Sequence, residues 1–123
     1  MLEARFPPLS TASRSARDWM RPQLDRWSLA PVADTAQLLV TELVSNVVCH
    51  VGAPMTVRMT RGAEMIRVEV EDSSPELPES REPDPTSEGG RGLALVATLA
   101  SRWGTDAHRA DPGKTVWFEL DVD

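Results

Sequence analysis

Glu42, Asn46 and His50 recur at every fourth position of the run Thr41–His50. On a helix of 3.6 residues per turn they share one face, drifting by about 40° per step. A carboxamide oxygen is a hard ligand suited to Mg²⁺. A carboxylate one turn away can orient or deprotonate a nucleophile. Taken alone, a Glu and an Asn on a helix are equally ordinary surface residues. Asp72 follows the alternating run Ile66–Glu71. A carboxylate at a strand end can accept a hydrogen bond from an exocyclic amine such as that of adenine, though Asp also ends strands for local reasons. Glu88-Gly89-Gly90-Arg91-Gly92-Leu93 stands before an apolar segment. Glycines there let the backbone approach a phosphate, and a helix start offers unpaired N–H groups and a favourable dipole. Arg91 adds positive charge, while a hinge would carry the same glycines. Gly113-Lys114-Thr115 lacks the earlier glycine and the following helix of a Walker A motif, so it reads as a hairpin turn. Thr115 remains able to place a hydroxyl in a cleft.

The elements that must position these residues follow from periodicity. Ala16, Met20, Leu24 and Trp27 have helical spacing and predict a first helix over 13–27, capped by Ser13 or Ser15 and either kinked by Pro22 or begun later. Ala36, Val40, Leu43 and Val47 form the stripe of a second helix, from Pro31 to about Val51, ended by Gly52-Ala53-Pro54. Residues 55–60 and 66–71 alternate as half-buried strands joined by a turn at 61–64. Residues 73–90 hold prolines at 75, 78, 83 and 85, many acids and no apolar period, which predicts a long loop, either functional or disordered. A helix over 93–100, a strand over 103–107, a turn at 111–114 and a strand over 115–121 complete the order. Helices with a mixed, mostly antiparallel sheet make an α+β fold, a two-layer sandwich with helices on one face. Thr56, Arg58, Thr60, Arg67 and Glu69 then fall on the other face, toward water or a partner.

With 123 residues and no repeat, the chain is expected to be one domain, 1–123, with a core over about 10–122. The net charge of −6 argues against nucleic acid as a direct partner. Residues 1–30 carry five Arg against three acids, and residues 61–90 three Arg against nine acids. That asymmetry suits either a basic protein partner or a solvated face. Cys49 is the one cysteine, so no internal disulfide forms, and its apolar surroundings predict a buried thiol. No run of roughly 18 apolar residues and no signal peptide are apparent, and the expected setting is cytoplasmic, away from any membrane.

The order of these weak signals is specific. A Glu-x-x-x-Asn helix is followed by a hairpin ending in Asp, a long loop ending in Gly-x-Gly before a helix, and the strand Gly-Lys-Thr-Val-Trp-Phe-Glu-Leu. This resembles the GHKL (histidine kinase-like) ATPase superfamily, and within it the anti-sigma-factor serine-kinase branch. The likeness spans roughly residues 10–122 and is most specific in residues 41–46 and 90–96. It implies ATP and Mg²⁺ as cofactors. By the resemblance, Asn46 would hold Mg²⁺, Glu42 would be the general base, Asp72 would bind the adenine amine, and Gly90, Arg91 and Gly92 would meet the phosphates. Residues 73–90 would be the ATP lid, and Thr115 would lie near the adenine pocket. His50 matches a position often held by His. The implied partners are a sigma factor and an anti-anti-sigma protein phosphorylated on serine, with a homodimer possible. The chain departs from the pattern at the first glycine box, where Asp-x-Gly-x-Gly is replaced by Asp72-Ser73-Ser74-Pro75-Glu76, and in an acidic lid with Glu76, Glu79, Glu82, Asp84 and Glu88 against Arg81. That departure favours a second reading, a protein-binding module with weak or no ATP turnover. A third, the catalytic domain of a two-component histidine kinase, lacks a dimerising helical hairpin in the N-terminal region.

Overall fold

Apolar–polar alternation builds the sheet, because successive strand residues point to opposite faces. The computed structural model describes residues 1–73, 88–108 and 113–122. The elements are β1 (Leu2–Phe6), α1 (Ala12–Arg26), α2 (Ala30–His50), β2 (Met55–Arg61), β3 (Met65–Asp72), α3 (Glu88–Leu99), β4 (Arg102–Ala107) and β5 (Lys114–Asp121). The strands form one sheet in the order β1-β2-β3-β5-β4. Each of the four pairings is antiparallel. The expected α+β architecture is therefore the one found, with no parallel pair among the described strands.

One face of the sheet is the core. Met55, Val57 and Met59 of β2, Ile66, Val68 and Val70 of β3, and Val116, Phe118 and Leu120 of β5 are buried. The helices cover them with Ala16, Met20 and Leu24 from α1 and Ala36, Leu39, Val40, Leu43, Val44 and Val47 from α2. The opposite face is a lattice of charge. Arg58 bridges Glu3 at 2.9 Å and Glu71 at 2.6 Å, while Glu119 accepts from Arg67 at 3.0 Å and Arg102 at 2.6 Å. The Arg67 guanidinium also lies 4.1 Å from the Trp117 ring centroid, a cation–π contact.

The structure differs from expectation in four local respects. Strand β1 is an addition to the expected elements: Leu2-Glu3-Ala4-Arg5-Phe6 alternates apolar and polar, but so short a run becomes a strand through its pairing with β2. Helix α1 begins at Ala12, and Ser13 does not cap it: its hydroxyl lies 2.9 Å from Ser45 Oγ across the α1–α2 groove. Pro22 sits exposed inside α1, which runs on past it to Arg26 with the loss of one helical hydrogen bond. Cys49 is exposed, because it lies on the flank of α2 away from the core stripe. By length and composition α2 is also apolar enough to cross a membrane, but eight of its residues are buried under the other elements of this domain.

Candidate nucleotide-binding site

Helix α2 presents two polar rows. One faces α1: Gln37 Nε2 donates to the Arg17 carbonyl at 3.1 Å, Arg17 donates to Thr41 Oγ1 at 3.2 Å, and Ser45 meets Ser13. Glu42 and Asn46 each lie one position past a member of that row, about 100° further round. They are therefore turned away from α1. Glu42 is half-buried, and Asn46 is 8% exposed. Among the described residues no hydrogen bond to the Asn46 carboxamide is found. The residue keeps some exposure, so its carboxamide oxygen can still be reached by a ligand. Hard oxygen donors of this kind suit Mg²⁺.

The sheet edge nearest the end of α2 is set by connectivity. Residues 51–54 join α2 to β2, a short span for the chain. The start of β2 pairs with the end of β3 through Thr56 and Glu71, and the end of β3 pairs with the start of β5 through Asp72 and Lys114. Asn46, Asp72 and Lys114 thus belong to the same end of the molecule. Asp72 lies in phase with Ile66, Val68 and Val70, so its carboxylate is on the helix-covered face. Lys114 lies in phase with Val116, Phe118 and Leu120 on the same face. Its Nζ is 3.1 Å from both Asp72 oxygens, with the two side chains 3% and 0% exposed.

Thr115 was expected beside the base pocket. Strand alternation puts Lys114 on the helix-covered face and Thr115 on the other. Its hydroxyl lies 3.0 Å from His108 Nε2, which is also 3.2 Å from Glu71 Oε2. A cavity of about 220 Å³ opens at this end, lined by Arg5, Pro54, Thr56, Glu71, Asp72, Ser73 and His108. A larger one, about 350 Å³, lies at the opposite end of the sheet against Glu64, Met65, Arg102 and Asp121 and holds none of the expected site residues. In sequence Lys114 reads as part of a turn; its two-residue phase with Val116 and Phe118 is the signal that marks it as facing the core.

Helix α3 starts at Glu88, so Gly89, Gly90, Arg91 and Gly92 form its first turns and do not stand in a loop before it. Gly90 and Arg91 are thereby among the first residues of the helix, whose leading N–H groups have no intrahelical acceptor. The expected lid, including its acidic residues up to Asp84, lies outside the described residues apart from Ser73 and the segment from Glu88 onward.

The described residues form a two-layer sandwich of an antiparallel sheet and covering helices, with a buried Asn on α2 and a buried Asp at a strand end. The chain belongs to the histidine kinase-like ATPase domain family, whose sequence profile matches residues 6–120. Domains of this family bind ATP with Mg²⁺. Among solved structures, the chain is similar to the histidine kinase domain of the blue-light activated histidine kinase from Erythrobacter litoralis EL346, at 25% identity and a TM-score of 0.52. That match covers 74% of this chain and 45% of the other, so the present chain spans less than half of the solved kinase domain's length. No curated protein matches the chain.

Proposed function

We propose that this domain is an ATP-dependent regulator of the kind it resembles in sequence: a serine kinase that phosphorylates an anti-anti-sigma partner and also holds a sigma factor. The observation that carries the site is Asn46, a nearly buried carboxamide without a hydrogen-bond partner among the described residues, one helical turn from Glu42. In this reading Asn46 holds Mg²⁺, which supplies charge neutralisation for the ATP phosphates. Glu42 takes up the proton of a seryl hydroxyl as its oxygen bonds to the γ-phosphorus and the bond to ADP breaks. Gly90, Arg91 and Gly92, at the start of α3, meet the phosphates, and Asp72 faces the base. Positioning and charge neutralisation carry most of such a transfer. A homodimer in the cytoplasm is the expected setting.

The experiment is Mg-ATP calorimetry followed by a transfer assay on a serine-bearing partner. We expect micromolar, Mg²⁺-dependent binding, about −8 kcal/mol. Asn46→Ala should abolish the Mg²⁺-dependent part. Glu42→Ala should spare binding and slow transfer by about 10²- to 10⁴-fold. Unchanged Mg-ATP affinity in Asn46→Ala would remove the metal role. The second reading, a protein-binding module without turnover, is favoured by Lys114 already engaging Asp72. Absence of binding at millimolar ATP would select it.

A further inference from the structure

We infer that the outer edge of β4 is a surface on which two copies of this chain pair, strand to strand, about a twofold axis at Gly104. The inference gives the homodimer of the proposed function an interface, and nucleotide plays no part in it.

The backbone sets which groups face outward. Among the described strands β4 is last in the sheet order, with β5 on its inner side. The His108 N–H donates to the Gly113 carbonyl at 3.0 Å, and the β4–β5 register runs from there to Arg102 opposite Glu119. Hydrogen-bonded positions alternate along an antiparallel pair. Asp106, Gly104 and Arg102 therefore bond inward to β5, while Trp103, Thr105 and Ala107 turn their main-chain N–H and C=O groups to the outer side. The strand carries no proline or lysine of the kind that blunts an edge. Trp103 is 37% exposed beside that edge, and Leu99, which ends α3 just before β4, is 42% exposed.

Charge selects the occupant and the register. A second copy added antiparallel must match outward positions with outward positions, so the twofold axis falls on a residue: Trp103, Gly104 or Thr105. About Trp103, Arg102 would meet Gly104 of the second copy. About Thr105, Arg102 would meet His108 and Asp106 would meet Gly104. About Gly104, Arg102 of each copy stands opposite Asp106 of the other, twice over. These are non-hydrogen-bonded pairs, in which Cα atoms approach to about 4.5 Å and side chains lie closest. Arg102 and Asp106 share the open face of the sheet with their register partners Glu119 and Thr115. Asp106 is exposed, and no ion pair to it is found among the described residues. Arg102 donates to Glu119 through Nε and to Asp121 through Nη2, which leaves Nη1 for Asp106 of the second copy. Gly104 brings no side chain to the axis; the Trp117 ring of its own chain lies over it, 2.9 Å from where a Cβ would stand. Self-complementarity of this kind is what an isologous contact between identical chains requires.

The interface is one strand wide, at the small end of specific contacts, so we expect a dissociation constant of about 10–100 µM. The test is sedimentation equilibrium of the full chain without nucleotide, from about 5 µM to 1 mM, with amide hydrogen exchange read by NMR at both ends of that range. Dimer should form as concentration rises, and exchange should slow at the Trp103, Thr105 and Ala107 amides. Asp106→Arg sets arginine against Arg102 of the second copy and should weaken the dimer by about tenfold or more, with the melting temperature of the monomer unchanged. A chain that stays monomeric to 1 mM would overturn the inference. So would a dimer whose new protection falls in β1 or on the helices, or a folded Asp106→Arg that associates as the natural chain does. The exchange pattern of the natural chain needs no variant, so misfolding of Asp106→Arg does not shield the inference. Monomeric behaviour leaves the Mg-ATP calorimetry untouched, and failure to bind Mg-ATP leaves this interface standing.

Discussion

Gly113 shows how one residue holds the end of the sheet together. Its φ is +147°, and a Cβ built there would stand 2.6 Å from the Asp72 carbonyl oxygen and 3.0 Å from His108 Nδ1. Glycine alone meets both demands. We expect Gly113→Ala to destabilise the domain by about 1–3 kcal/mol, read by urea unfolding, and to weaken nucleotide binding because the strain falls on the Asp72 backbone. The same position explains what the motif there does. Gly113-Lys114-Thr115 looks like a plain turn, and its glycine indeed makes one. Its lysine nevertheless begins a strand and points into the core, and only the threonine joins the cluster on the open face.

At the scale of elements, β5 is the hinge of the fold. It lies between β3 and β4 and supplies Phe118 to the core with no exposure. Phe118→Ala should cost about 3–5 kcal/mol, measured by chemical denaturation, because a large cavity opens under both α2 and the central strands. The other face of β5 carries Glu119. Its carboxyl is held below its ordinary value near 4.5, chiefly by the hydrogen bond from Arg102; burial opposes this, and the hydrogen bond from Arg67 adds a lesser lowering. A carboxylate with a lowered folded value stabilises above the unfolded value and loses that contribution as pH falls through the folded one. The domain should therefore lose stability below about pH 4.5, and Glu119→Gln should be less acid-sensitive there while less stable at pH 7. The effect should stay under about 1 kcal/mol, because Arg102 reaches into solvent and its pair is screened. Arg58, raised above its ordinary value mainly by Glu71, ties β2 to β3 in the same lattice.

At the scale of the molecule, ligand and fold are linked. If Mg-ATP binds with a dissociation constant near 10 µM, 1 mM ligand stabilises the folded state by about 2.7 kcal/mol. Thermal melting should then rise on the order of 10 °C with Mg-ATP and fall back when the metal is chelated. Much of this molecule was legible in its residues. The stripe Ala36, Val40, Leu43, Val47 and the alternation over 55–72 are local patterns, and each determined its element within a residue or two. The i, i+4 pair Glu42 and Asn46 followed from helix geometry alone, and the order of motifs was enough for the family. Tertiary structure decided the rest, because those facts depend on chains meeting at long range. Strand β1 exists only beside β2. Ser13, a candidate cap in sequence, is instead claimed by Ser45 of α2. Asp72 and Lys114 are 42 residues apart and become partners only through the β3–β5 register. That register, and no motif, turned an apparent turn lysine into the neighbour of the Asp72 carboxylate, and moved Thr115 to the opposite face of the sheet.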